Sequence, residues 1–137
     1  MKSSLTLLCT VALGLALLGC NKNENLGTIT GTVTYEGAPV TEGTISFRSE
    51  ESGLSASDEL DAEGKFEVTA VGGIPPGNYK AFIVPPEVEV SLGPDVAPVL
   101  KPKDMPNVPR PYRSIRTTPL AVDVVAGANE VSFELKK

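Results

Sequence analysis

The thiol of Cys20 is the side chain of this sequence best placed for covalent chemistry. It stands directly behind Leu17-Leu18-Gly19, at the end of an apolar run from Leu5 to Leu18 and ahead of polar Asn21–Asn25. Cys9, the only other cysteine, lies inside the run, and the 137 residues contain no histidine and no tryptophan. Without histidine, neither a Ser-His-Asp nor a Cys-His nucleophile can be assembled, and imidazole metal ligands are excluded. Serines and threonines are plentiful, but none has an identifiable base. Gly43-Thr44 and Ser55-Ala56-Ser57 match no hydrolase elbow, which needs a strand-to-helix turn. The chain is expected to be no enzyme and to hold no cofactor.

Three further constellations invite a binding role. Glu59, Asp61 and Glu63, followed by Gly64, partly imitate a calcium loop. Such a loop needs a bidentate carboxylate at its twelfth position. That position is Ala70, so a solvated acidic turn is expected and no metal site. The second constellation is basic. Lys101, Lys103, Arg110, Arg113 and Arg116 face one acid, Asp104, whereas residues 36–95 carry twelve acids and three bases. These bases either reach anionic headgroups or acidic wall polymers, or pair with the acidic part of their own domain; the larger nearby acidic excess favours pairing. The third is aromatic. Tyr35 and Tyr79 fall on strand faces and read as core residues. Tyr112 lies outside the strong strands and either stacks on a sugar or docks its loop. With a net charge of −5, the chain is expected to bind no nucleic acid.

The front end explains the setting of Cys20. Met1 and Lys2 form a short positive region, and Leu5–Leu18 is shorter than the roughly 20 apolar residues of a spanning helix. The whole arrangement resembles a bacterial lipobox, in which a signal peptidase cuts before the cysteine and the thiol takes a diacylglycerol. That resemblance implies a signal peptide at 1–19, a lipidated tether at 20–27 and a domain at 28–137. It also implies export and attachment to a bilayer through acylated Cys20. Asn21 is not the aspartate that favours inner-membrane retention in some bacteria, so the outer membrane is preferred. With Cys9 removed and Cys20 acylated, no disulfide would remain, and the domain would rest on burial alone.

The elements that position these residues read as strands. Alternation begins at Thr28 and continues to Tyr35, with Ile29, Val33 and Tyr35 on one face. Residues 43–48 place Ile45 and Phe47 inward. Leu54–Leu60 is more polar and reads as an edge strand. Lys65–Val71 follows the Asp61–Gly64 turn, and Asn78–Val84 follows Pro76-Gly77, read as the centre of a type II turn. Leu120–Val125 and Val131–Leu135 close the chain around a turn at Gly127-Ala128-Asn129. The fold class is therefore all-β: a seven-stranded antiparallel β-sandwich. Between the last two pairs of strands runs a long loop, residues 85–118. Pro85 to Pro119 hold nine of the twelve prolines, which argues against regular pairing through most of it. Glu87-Val88-Glu89-Val90 reads as a short strand extension.

The turn residues carry a family resemblance. Gly31-Thr32-Val33 leading to Gly37-Ala38-Pro39-Val40, then Asp61-Ala62-Glu63-Gly64-Lys65-Phe66, then Ile74-Pro75-Pro76-Gly77-Asn78-Tyr79 resemble three steps of a carboxypeptidase-regulatory-like domain. Val108-Pro109, Tyr112 and Leu120–Leu135 are similar to the ending of short bacterial lipoproteins carrying it. The resemblance implies a transthyretin-like (prealbumin-like) sandwich. In metallocarboxypeptidases the domain accompanies a zinc peptidase, for which this chain has no histidine. Transthyretin-fold hydrolases end in Tyr-Arg-Gly-Ser, whereas this chain ends Glu134-Leu135-Lys136-Lys137. The expected function is a non-enzymatic, envelope-anchored interaction or structural module at the cell surface or in the periplasm. Its expected partner is another envelope protein or a polysaccharide. The alternative is a carbohydrate-binding module.

Overall fold

A computed structural model describes residues 25–137. Cys20, the apolar run before it and most of the tether lie outside the described residues. Ten strands form: β1 (Gly27–Tyr35), β2 (Ala38–Pro39), β3 (Thr44–Arg48), β4 (Ser55–Glu59), β5 (Lys65–Val68), β6 (Gly77–Val84), β7 (Glu87–Val90), β8 (Val99–Pro102), β9 (Ala121–Val124) and β10 (Gly127–Leu135). One sheet is centred on β1, with β10 on one side and β5 then β2 along the other. The second sheet has the order β4-β3-β6-β9 and is antiparallel throughout. β7 and β8 make a separate two-stranded ribbon.

Strands form in each of the seven segments read from the sequence; most offer one apolar face at period two, whereas β4, with Ala56 as its one apolar residue, takes the edge of its sheet. In β3 and β6, Ile45, Phe47, Tyr79, Ala81 and Ile83 are buried, while their sequence neighbours stay more open. The two sheets meet through aromatic rings. Phe47 of the second sheet lies 5.6 Å from Phe66 and 6.2 Å from Phe133 of the first, both tilted. Such contacts contribute about 0.5–1.5 kcal/mol beyond area burial. Buried polar groups are satisfied: among the described residues no buried side-chain nitrogen or oxygen lacks a partner.

The strand arrangement departs from a purely antiparallel seven-stranded sandwich. β1 and β10 run parallel, in register from Gly27↔Gly127 to Tyr35↔Leu135. Strands so far apart in sequence need no tight turn between them, so alternation alone leaves their relative direction open. The pair leaves no room for a side chain at Gly31. A Cβ at Gly31 would strike the Val131 carbonyl oxygen and would stand 2.9 Å from the Phe66 ring. Glycine there lets β10 and an aromatic side chain approach one strand together.

Two turns fall elsewhere than the sequence suggests. The turn before β6 is Ala70–Gly73, closed by a 2.8 Å hydrogen bond from Gly73 N to Ala70 O, with Gly72 at φ 87°. That φ at the third position is what a type II turn demands. Gly77 instead opens β6 opposite Val124. Likewise Gly127-Ala128-Asn129 begins β10, and the chain turns just before it. Asn129, almost buried, stitches that turn. Its Oδ1 accepts from Val125 N at 2.9 Å, and its Nδ2 donates to Val125 O at 2.8 Å and to Thr28 O at 3.1 Å.

Candidate functional site

The proline-rich stretch after β6 divides into two parts with opposite characters. Residues 103–119 pack onto the sandwich. Met105, Val108 and Tyr112 belong to the core, and a single 3₁₀ turn at Arg110–Arg113 lies against β6. Thr118 Oγ1 donates to Ala81 O at 2.6 Å, fixing the segment to the second sheet. Proline density here reflects a chain held by side chains and isolated turns, not by ladder pairing.

Residues 85–102 do the reverse. β7 and β8 project as an arm whose residues are nearly all exposed. Their register places Val88, Val90, Val99 and Lys101 on one face and Glu87, Glu89 and Leu100 on the other. Nine large hydrophobic residues are exposed among the described residues, and six belong to this arm and its base: Val84, Val88, Leu92, Val96, Val99 and Leu100. The other three, Leu54, Val71 and Val125, sit on turns at the opposite end. On the outer faces of the two sheets only Val84, at the end of β6 where the arm begins, is such a residue among those described. The sequence signal for the arm was the alternation Glu87-Val88-Glu89-Val90; its partner strand, preceded by Pro98 and ending in Pro102, gave none.

The six binding candidates are not brought together. Tyr112 is 8% exposed, and its hydroxyl accepts from Lys136 N at 3.1 Å. It docks its segment to the end of β10, the second of the two roles its position left open, and a buried ring has no open face to offer a sugar. Arg113 donates from Nε to Val108 O and from Nη2 to Met105 O, both at 2.7 Å. It therefore caps the packed segment. Lys103 bonds both carboxylate oxygens of Glu42, at 2.8 and 2.7 Å, at the foot of the arm. Lys101, Arg110 and Arg116 are exposed, on the arm, the 3₁₀ turn and a groove shared with Arg48 and Glu50 respectively. Internal pairing thus accounts for Lys103, and backbone capping for Arg113, while three bases remain open to solvent.

The acidic turn is likewise used by the backbone. Asp61 Oδ1 accepts from Glu63 N at 2.9 Å and from Lys65 N at 2.7 Å. Asp58 Oδ2 accepts from Glu67 N at 2.8 Å, joining the edge strands β4 and β5 of the two sheets. An open groove of about 490 Å³ runs between them, lined by Thr30, Asp58, Asp61, Lys65 and Glu67 among others. Among the described residues, no group of three or more histidine, cysteine, aspartate or glutamate side chains is arranged to hold a metal ion.

The described chain is an all-β protein with the character of a β-sandwich. No protein-family profile matches it, and no curated protein sequence does. Among solved structures it is similar to the major pilin subunit of Bacillus cereus, at 13% identity and a TM-score of 0.43 over 81% of this chain. It is also similar to a 9R-lipoxygenase from Cyanothece, at 9% identity and a TM-score of 0.39 over 84% of this chain. It spans 29% and 16% of the lengths of those two proteins. Similarity this shallow carries no argument about either activity.

Proposed function

We propose that this chain is a non-enzymatic lipoprotein of the bacterial envelope that holds an interaction arm away from the membrane. On this reading residues 1–19 direct export and are removed. Acylated Cys20 then anchors the protein, in the outer membrane by preference. The carboxypeptidase-regulatory-like, transthyretin-like sandwich acts as the stand. One observation carries the proposal. Gly27, where the sandwich begins, bridges Ile74 and pairs with Gly127, at the end where β6 starts. The arm leaves from Val84, where β6 finishes beside Thr44. The start of the sandwich and the arm therefore lie at opposite poles, and an anchor attached ahead of the first presents the second. An exposed apolar arm is costly in water unless something covers it, which supports a protein partner in the envelope. The carbohydrate-binding alternative loses its aromatic platform with the burial of Tyr112.

The test is fractionation of cells expressing the full chain and its Cys20→Ser variant. The wild type is expected in the membrane fraction with incorporated fatty acid, and the variant without it. Equal fatty-acid labelling of both proteins would remove the anchor from the proposal. Crosslinking from Leu92 and Leu100 in the intact envelope then examines the arm. Polar substitutions at Val88 and Val99 of the same arm are expected to abolish the crosslinked product.

A further inference from the structure

The pole from which the tether leaves carries its own apolar tips. Leu54, Val71 and Val125 are 47%, 109% and 59% exposed. Each lies on a different turn: between β3 and β4, between β5 and β6, and between β9 and β10. Leucine and valine at turn tips gain nothing from solvent, and turns ordinarily favour glycine, proline, asparagine, aspartate and serine.

The three turns surround the start of the described chain. Leu54 and Val71 line one groove of about 250 Å³ together with Ile74 and Pro75. Ile74 exchanges 2.7 Å backbone hydrogen bonds with Gly27 in both directions. Gly127 N donates to Leu26 O at 3.0 Å, and the Val125 carbonyl oxygen lies 2.5 Å from where a side chain on Gly27 would begin. Leu26 and Gly27 are therefore the hub of the pole. From Cys20 to Leu26 a fully extended chain reaches at most about 20 Å.

We infer that Leu54, Val71 and Val125 rest on the lipid surface to which Cys20 is attached. They give the anchored domain a fixed stance with the arm directed outward. The inference rests on the acylation of Cys20, since that bond is what keeps this pole within reach of a bilayer. Shallow contact by three side chains does not anchor a protein by itself. It selects one orientation of a domain already held there, because apolar tips enter the interface while the rest of the surface stays hydrated.

The experiment uses the full lipidated chain in phosphatidylcholine vesicles. A nitroxide is attached singly at Leu54→Cys, Val71→Cys, Val125→Cys and, on the arm, Leu92→Cys. All four positions are exposed, so labelling need not disturb the core, and unchanged far-UV circular dichroism confirms the fold. Collision with oxygen, which concentrates in lipid, is compared with collision with a water-soluble nickel chelate. The expected result is an oxygen-to-nickel ratio several-fold higher at 54, 71 and 125 than at 92. Equal ratios at all four positions, or a higher one at 92, would overturn the inference. Failure of the anchor reading looks different. Cys20 itself would then take up label, and the protein would lack fatty acid.

Discussion

Tyr79 shows what a buried hydroxyl does in this core. It is 2% exposed and donates to the Pro75 carbonyl at 2.9 Å, tying β6 to the turn before it. Burial raises its pKa above the ordinary 10.0. The folded chain keeps the proton where the unfolded chain begins to lose it. The associated stability is complete below pH 10 and fades as pH rises through the folded value. Tyr79→Phe is expected to cost about 1 kcal/mol at neutral pH through the lost hydrogen bond. In urea titrations the gap between wild type and variant is expected to narrow above pH 10. A constant gap would show that ionisation of this group is not what weakens the wild type in alkali. Its place on the inward face was legible from alternation. Its hydrogen bond was not, because the acceptor is a backbone carbonyl positioned by the Ala70–Gly73 turn.

At the scale of elements, one proline-rich stretch is two devices. Met105 and Val108 are fully buried, whereas Leu100, only a few residues earlier, is 61% exposed. Met105→Ala is expected to destabilise the protein by about 2–5 kcal/mol, as deletion of buried side-chain volume does. Leu100→Ser is expected to stay within about 0.5 kcal/mol. Thermal denaturation of the two variants separates packed segment from arm, and equal losses would place the arm in the core. The sequence marked this stretch as irregular through its prolines. It did not divide it, since Val99-Leu100 and Met105 are equally apolar and only the tertiary neighbours differ.

At the scale of the whole molecule, the fold is closed by joining its two ends. β10 lies parallel to β1 along nine register pairs and brings Phe133 and Leu135 into the core. Truncation after Asn129 would remove these contacts and leave β1 with one bare edge. The shortened chain is expected to lose cooperative unfolding, read as a broad thermal transition without a defined midpoint. A sharp transition close to that of the full chain would show that β10 is dispensable. The same closure sets the poles. The turns that hold Leu54, Val71 and Val125 gather where the tether leaves, and the arm projects at the far end.

The sequence by itself determined the β class, the inward faces of the strongly alternating strands, the absence of histidine chemistry and the singular position of Cys20. These are local properties: residue type, period and immediate flanks. Only the tertiary structure decided the direction of β10, the burial of Tyr112, the split between arm and packed segment, and the dispersal of the five bases. Each of these depends on which distant segment comes to lie alongside. Gly31 states the reason in one residue. Its missing side chain is plain in the sequence, but the carbonyl of Val131 that requires it lies 100 positions away and comes near only when the chain has folded.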